Sequence, residues 1–123
     1  MKRRTLLHAA AWSSPALLGL LPWSARAQSG YPNKPIRYIV PVAAGGGSDM
    51  VGRTVTERWG QVLKQTFVVD NQSGGGGTIA CLTTARAAPD GYTLMQGYVA
   101  THGTSPATRK LPYDAVKDFT ASA

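Results

Sequence analysis

Residues 36–49 constrain the fold most, because they join a strand, a glycine loop and a helix start without interruption. The apolar, β-branched run Ile36–Val42 leads into two alanines and three glycines, and Ser48 and Asp49 follow as residues typical of helix starts. Such a junction exposes backbone N–H groups at the positive end of a helix dipole, which suits a bound anion. After the strand, this junction reads Ala43, Ala44, Gly45, Gly46, Gly47, Ser48 and Asp49.

A second glycine run repeats this arrangement further along the chain. The apolar residues Phe67–Val69 precede Gly74–Gly77, and Thr78 then opens another helical stretch. The two runs hold half of the chain's 14 glycines. A single glycine loop is explained well enough as a tight turn, but two such loops after consecutive strands favour a ligand-binding edge.

The order of these segments predicts an α/β fold with a parallel sheet. The patterns indicate strands at 36–42, 67–69 and 92–96, with helices at about 48–64 and 78–88. Strands that alternate with helices pair in parallel through right-handed crossovers. Ligands of such sheets bind beyond the carboxyl ends of the strands, where both glycine loops and residues 97–102 are expected to converge. Within the first helix, one apolar face is predicted from the helical spacing of Val51, Val55, Trp59, Val62 and Leu63.

The N-terminus has the organisation of an export signal. A basic head, Lys2–Arg4, precedes the mostly apolar stretch Leu6–Leu21, and Ala25-Arg26-Ala27 forms an A-x-A cleavage site. The apolar stretch is too short and too interrupted to be a good membrane span. We therefore predict that residues 1–27 are an export signal, by the general secretory or the twin-arginine route, and that the protein is periplasmic.

Charge and cysteine content exclude several function classes. Without residues 1–27 the 13 basic residues become 13 − 4 = 9, against 6 acidic ones, so the formal net charge is +3. These basic residues are scattered, whereas nucleic-acid binding requires a basic patch. Cys81 is the only cysteine and lies in a predicted helix, which is typical of a small buried side chain. No metal-ligand spacing is present, and we predict no metal site and no cofactor.

Five sequence strings, in order, resemble the Bug family, the periplasmic solute receptors of tripartite tricarboxylate transporters. They are Y-P-N-K-P-I-R from Tyr31, P-V-A-A-G-G-G-S-D from Pro41, D-N-Q-S-G-G-G-G-T-I from Asp70, A-P-D-G-Y-T-L from Ala88 and L-P-Y-D-A-V-K-D-F from Leu111. This resemblance implies a two-domain, clamshell-shaped α/β protein of the type II-like periplasmic binding class. Such a receptor is a monomer that holds a small organic acid between its lobes and delivers it to membrane permease subunits.

The resemblance also implies which residues bind the ligand. In the family, the loop after the first strand and the loop after the third strand of this lobe hold one ligand carboxylate, partly through water. Here these are residues 43–49 and 97–102, in which Ser48 and Thr101 offer hydroxyl donors and His102 a ring donor. We expect Asp49 to cap the helix rather than contact the anion, because two carboxylates repel each other.

The sequence departs from the family pattern in two places. Ser73, Gly75, Thr78 and Ala80 stand where the second glycine loop of the family usually has other residues, and the four glycines raise the entropy cost of ordering that loop. The family continues into a second lobe, whereas this chain stops at Ala123. Residues 28–123 are therefore expected to form only the N-terminal part of the first lobe, with weak or no binding of acids.

Two enzymatic alternatives were weighed against a receptor. Gly75, Gly77 and Ala80 fit a loose dinucleotide fingerprint, as in a Rossmann-like nucleotide-binding enzyme domain, but the acidic residue expected about 20 positions later is missing. A hydrolase lacks the G-x-S-x-G elbow, and His102 is the only histidine after residue 27. The sequence therefore predicts a binding protein without catalytic activity.

Overall fold

The strand β1 (Ile36–Val40) forms the centre of a parallel three-stranded sheet. It lies between β2 (Phe67–Asn71) and β3 (Thr93–Met95), with Tyr38 opposite both Val69 and Leu94. Ile39 and Val40 point to opposite faces of β1 and are both inaccessible to solvent, so both faces of this strand are covered. This computed structural model describes residues 30–122, and the predicted parallel α/β fold is confirmed within them. The predicted export signal lies outside the described residues.

Two helices complete the layers around the sheet. The helix α1 (Gly47–Leu63) packs against β1 and β2, and α2 (Thr78–Ala85) packs against β3 and β1. Each helix follows a strand and begins at the carboxyl edge of the sheet, as the strand–glycine–helix pattern predicts. A short helix α3 (Ser105–Thr108) follows a π-helical turn at Ala100–Thr104. No helix within residues 30–122 is long and apolar enough to cross a membrane.

The ends of the elements differ from the predicted ones for local reasons. β1 ends at Val40 rather than Val42, because Pro41 has no N–H group to continue the ladder. α1 ends at Leu63, and Lys64 adopts a left-handed conformation from which its N–H group bonds to the Gly60 carbonyl. α2 ends three residues before the predicted Ala88. A bend at residues 89–92 leads into β3, with Gly91 at φ +79°.

The predicted apolar face of α1 was wrong. The buried residues of this helix are Asp49, Gly52 and Thr56, whereas Val51 and Val62 are 55% and 78% exposed. Gly52 determines which side of α1 faces the sheet, because a Cβ atom at this position would lie 3.0 Å from Val40 Cγ2 and 3.3 Å from Tyr38 Cε1. The backbone of α1 therefore approaches the sheet through a glycine. Trp59, one of the residues of the predicted face, does contact the sheet, because its ring packs against Tyr38 and Phe67.

Candidate functional site

The three loops at the carboxyl edge of the sheet meet at Gly77. This buried glycine has φ +89°, and a Cβ atom on it would overlap Thr101 Cγ2 and lie 3.4 Å from Pro41 Cβ. Pro41 begins the loop after β1, and Thr101 belongs to the turn that follows β3. The predicted convergence of the three loops is therefore confirmed, and it depends on a position that has no side chain.

The first loop presents backbone donors at the start of α1. Residues 43–47 are exposed, Ser48 is half-buried, and the helix begins at Gly47 with Gly46 as its N-cap residue. The first helical hydrogen bond runs from Met50 N–H to the Gly46 carbonyl, 3.0 Å away. The N–H groups of Gly47, Ser48 and Asp49 precede this bond and have no acceptor within the helix. This end of α1 thus combines free donors with the positive end of the helix dipole.

Asp49 does not cap the helix, contrary to the prediction. Its buried carboxylate accepts a 2.8 Å bond from the Gly45 N–H group, so it binds back to the loop instead of to the helix amides. It also accepts bonds from Arg53 Nε, 3.0 Å away, and Asn71 Nδ2, 2.9 Å away. The Arg53 bond, followed by those from Gly45 and Asn71, lowers the pKa of Asp49 to about 2. Asp49 is therefore an ionised anchor for the loop.

The third loop, predicted at residues 97–102, runs into a π-helical turn at Ala100–Thr104. Thr101 is completely buried within the π-helical turn, where its hydroxyl accepts from Tyr98 N–H and donates to the Tyr98 carbonyl. His102 is half-buried, with Nδ1 2.7 Å from Thr101 Oγ1 and its ring edge-to-face against Phe119. The structure brings Thr101 and His102 together. Thr101 meets the second glycine run, and its hydroxyl is engaged within its own turn.

The second glycine run is held by a residue that the sequence did not single out. Gly75–Gly77 form a 3-10 turn, and all four glycines of the run have positive φ. Arg109 Nη2 donates 2.9 Å bonds to the Gly75 carbonyl and to Ser105 Oγ. The run is thus ordered by a side chain that lies 34 residues further along the chain. No local sequence signal identifies such a contact.

Buried groups beneath the third loop are structural. The Tyr113 hydroxyl donates a 2.9 Å bond to the Thr101 carbonyl, and burial raises the pKa of Tyr113 to about 12. Burial also raises the pKa of the Cys81 thiol, which disfavours the nucleophilic thiolate. The prediction that Cys81 is a small buried side chain is confirmed. Within residues 30–122, no group of three or more His, Cys, Asp or Glu side chains is placed to hold a metal ion.

An open cavity of about 770 Å³ lies beside this region, between His102 and residues 106–118. Basic side chains, Arg109 and Lys110, share its lining with the acidic Asp114 and Asp118. Both charge signs are therefore present in its lining.

Comparison with known proteins identifies the family. Residues 51–123 match the family model of the tripartite tricarboxylate transporter family receptor. The chain belongs to this receptor family. A UPF0065 protein of Bordetella bronchiseptica is 43% identical over 117 residues, which are 94% of this chain and 33% of that relative. The chain spans about a third of the length of the curated relatives that it matches first.

Solved structures of similar proteins agree with the receptor family. MatC from Rhodopseudomonas palustris with bound malate superposes with a TM-score of 0.70 and 42% identity, over 73% of this chain and 31% of MatC. The periplasmic binding protein BugD superposes with a TM-score of 0.51 and 46% identity, over 53% of this chain and 22% of BugD. The resemblance to the Bug family and the periplasmic binding protein fold are thereby confirmed. Membership of a receptor family favours a binding protein over the Rossmann-like enzyme.

Asn71 lies beside the first loop and was not among the predicted site residues. It lies at the carboxyl end of β2, and its Nδ2 donates to the Val42 carbonyl as well as to Asp49. In the string D-N-Q-S-G-G-G-G this asparagine is separated from the second glycine run by Gln72 and Ser73. Its position beyond a strand end was the available signal, because such residues lie at the ligand edge of a parallel sheet.

Proposed function

We propose that this chain belongs to an exported receptor for small organic acids and supplies loops that hold one ligand carboxylate. The observation that carries this proposal is the start of α1, where exposed N–H groups have no acceptor in the helix, at the same edge of the sheet where three loops meet at Gly77. Its family membership and its similarity to MatC, whose structure holds malate, support the same ligand class. The receptor would then serve a tripartite tricarboxylate transporter.

The proposed binding chemistry needs no cofactor. Backbone N–H groups of residues 43–48 and the Ser48 hydroxyl would donate to the carboxylate, directly or through water. The Gly45 N–H group already bonds to Asp49, so it would act by fixing the loop. His102 would complete the site from the third loop through its ring, and Thr101 would hold that loop in place, because its N–H group bonds to the Tyr98 carbonyl and its carbonyl accepts from Tyr113. The roles of all nine predicted residues are proposals at this stage: Ala43, Ala44, Gly45, Gly46, Gly47, Ser48, Asp49, Thr101 and His102.

The cellular setting follows from the same assignment. We propose that residues 1–27 direct export, by the general secretory or twin-arginine route, and that residues 28–123 form part of one lobe of a periplasmic receptor. The chain would act as a monomer that delivers its acid to membrane permease subunits. A mild positive charge on residues 28–123 favours an anionic ligand over a cationic one.

Thermal melting of the full chain with a panel of carboxylic acids tests the proposal. The panel contains malate, a tricarboxylate and a monocarboxylate, with dimethyl malate as a neutral control of nearly the same shape. We expect at least one acid to raise the melting temperature and the ester to have no effect, because only the anion interacts with the helix dipole. If no acid in the panel shifts the transition, the loops of this chain do not hold a carboxylate by themselves.

A pair of variants at Gly47 tests the backbone donors themselves. Gly47 is the first residue of α1, where proline is well tolerated, and its predecessor Gly46 has the extended conformation that proline requires. Gly47→Pro therefore removes one N–H donor with little other change. Gly47→Ala keeps this donor and adds a methyl group that meets no other atom within 4 Å. We expect the proline variant to bind malate about tenfold more weakly and the alanine variant to bind it within about threefold of the original chain. Equal affinities of the two variants would exclude this amide as a ligand donor.

A further inference from the structure

We infer that Asn71 is the positioning residue of the first loop, and that Arg53 offsets the charge of Asp49 so that this loop accepts an anion. The inference rests on the proposed function, because it assigns roles around the same carboxylate site. Neither Arg53 nor Asn71 is among the residues that the sequence pattern or the family resemblance assigns to ligand binding.

The contacts of Asn71 join the two limbs of the loop. Its Nδ2 donates to the Val42 carbonyl, 3.2 Å away, on the limb that leaves β1. The same nitrogen donates to Asp49 Oδ1, 2.9 Å away, and Asp49 Oδ2 accepts from the Gly45 N–H group on the other limb. Ala43 and Ala44 form the exposed tip between these two attachments. A four-residue stretch, 42–45, is thus tied at both ends to side chains.

Arg53 completes this network from the next turn of α1. Its Nε contacts both Asp49 oxygens, at 3.1 and 3.0 Å, and its Nη2 donates to Asn71 Oδ1 at 3.1 Å. The amide of Asn71 is therefore oriented by a donor on one side and by two acceptors on the other. An aspartate at position 71 would have no N–H group for Val42 or Asp49 and would add a second negative charge.

The charge balance matters because of where Asp49 lies. Its buried carboxylate is in the first turn of α1, next to the N–H groups that are proposed to hold the ligand. Without a cation beside it, this charge would repel a carboxylate ligand and weaken the positive end of the helix dipole. Arg53 forms the only ion pair of Asp49 within residues 30–122. The ion pair between Arg53 and Asp49 gives the fixed loop little net charge. The free N–H groups at the start of α1 then determine that the loop prefers an anion.

Amide hydrogen exchange in the full chain tests the positioning role without any ligand. We expect Asn71→Ala to raise the exchange rate of the Gly45 amide, which is bonded to Asp49, at least tenfold and to leave the rates of β1 and α2 unchanged. Asn33→Ala is the matched control, because Asn33 bonds to Tyr92 at the opposite end of the sheet. If Asn71→Ala does not fold, as judged by circular dichroism, Arg53→Met gives the same readout, since its side chain is 54% exposed and its loss leaves the core intact. Unchanged exchange of the Gly45 amide in the folded variant overturns the positioning role.

A double-mutant cycle with malate tests the charge role. We expect Arg53→Met to weaken malate binding about tenfold, and we expect Asp49→Asn added to Arg53→Met to restore most of the affinity. A purely structural role predicts that the double variant is weaker than either single one, and that result overturns the inference. If the original chain binds no acid while the exchange of the Gly45 amide responds to Asn71→Ala, the proposed function fails and the positioning role stands. If malate binds equally to all variants, the function stands and the inference fails.

Discussion

Tyr113 shows how a single side chain fixes part of the candidate site from beneath. Its hydroxyl donates to the carbonyl of Thr101, which is completely inaccessible to solvent and lies at the junction of the three loops. Its ring also packs edge-to-face against Phe119, which in turn contacts His102. Because the buried Thr101 carbonyl depends on this donor, the third loop owes part of its shape to a residue 12 positions away.

Replacing Tyr113 with phenylalanine is expected to cost about 1 kcal/mol of unfolding free energy, because a buried carbonyl loses its partner. Tyr31→Phe is the matched control, since its hydroxyl bonds to the Gly91 carbonyl at an exposed position where water can replace it. The control is expected to change stability by less than about 0.5 kcal/mol. Urea denaturation of both variants measures the difference, and equal effects would contradict the assigned role.

The pH dependence of the unfolding free energy is expected to include a contribution from the Tyr113 hydroxyl. The pKa of Tyr113 is about 12 in the folded chain, raised by burial, against about 10 when unfolded. A raised pKa contributes stability that is complete below about pH 10 and is lost as the pH rises from about 10 to about 12. Tyr38 and Cys81, whose pKa values burial also raises, act in the same direction.

Urea denaturation between pH 9 and pH 12 measures this loss. Tyr113→Phe is expected to reduce the decline in unfolding free energy without abolishing it, because Tyr38 and Cys81 still titrate. A decline of unchanged steepness in this variant would show that Tyr113 is not protected from ionisation.

At the scale of elements, the second glycine run acts as a spacer between loops. Its backbone, at positive φ throughout, lets Gly77 pack directly on Pro41 and Thr101, where any side chain would collide. Arg109 compensates for the flexibility of four glycines by bonding to the Gly75 carbonyl. The second glycine run therefore has a structural role, because Gly77 must be a glycine to let the neighbouring loops approach this closely. This role is separate from any part of the run in ligand binding.

Gly77→Ala is expected to destabilise the chain by about 1–3 kcal/mol, because φ +89° strains an L-residue and the new methyl group overlaps Thr101. Gly103→Ala is the control, since a Cβ atom there meets only Val99 Cγ1, at an ordinary 3.7 Å. Thermal melting compares the two. A Gly77 variant as stable as the Gly103 variant would mean that the three loops do not meet as described.

At the scale of the whole molecule, the described core is narrow and centred on β1. Ile36, Ile39 and Val40 are almost completely buried, whereas the apolar residues along α1 that do not face the sheet remain largely exposed. The latter include Met50, Val51, Val62 and Leu63. Within residues 30–122, the stability of the fold therefore depends mostly on one strand and on the helix backbone that contacts it through Gly52.

A pair of substitutions compares the contribution to stability of the buried strand β1 with that of the exposed apolar residues of α1. Val62→Lys is expected to change the unfolding free energy by less than about 0.5 kcal/mol, because Val62 is 78% exposed. Ile39→Ala is expected to cost about 2–5 kcal/mol, because it leaves a cavity in the covered strand. Chemical denaturation measures both. A large loss of unfolding free energy in Val62→Lys would show that the apolar face predicted from the helical spacing is buried after all.

The sequence by itself determined the order of the elements, their parallel pairing and the place of the candidate site. These follow from local patterns: a β-branched run, a glycine loop and a helix start at residues 36–49, and the same order again at residues 67–78. The burial of Cys81 was also predictable, because a lone cysteine in a helix behaves as a small apolar side chain.

The tertiary structure alone decided how the helices face the sheet and which side chains hold the loops. Spacing along α1 identifies an apolar stripe, but the close approach at Gly52 selects the side that meets β1. The bonds from Asn71 to Asp49 and from Arg109 to Gly75 span 22 and 34 residues. A local pattern specifies periodicity and backbone conformation, whereas contacts across such separations exist only once the chain has folded.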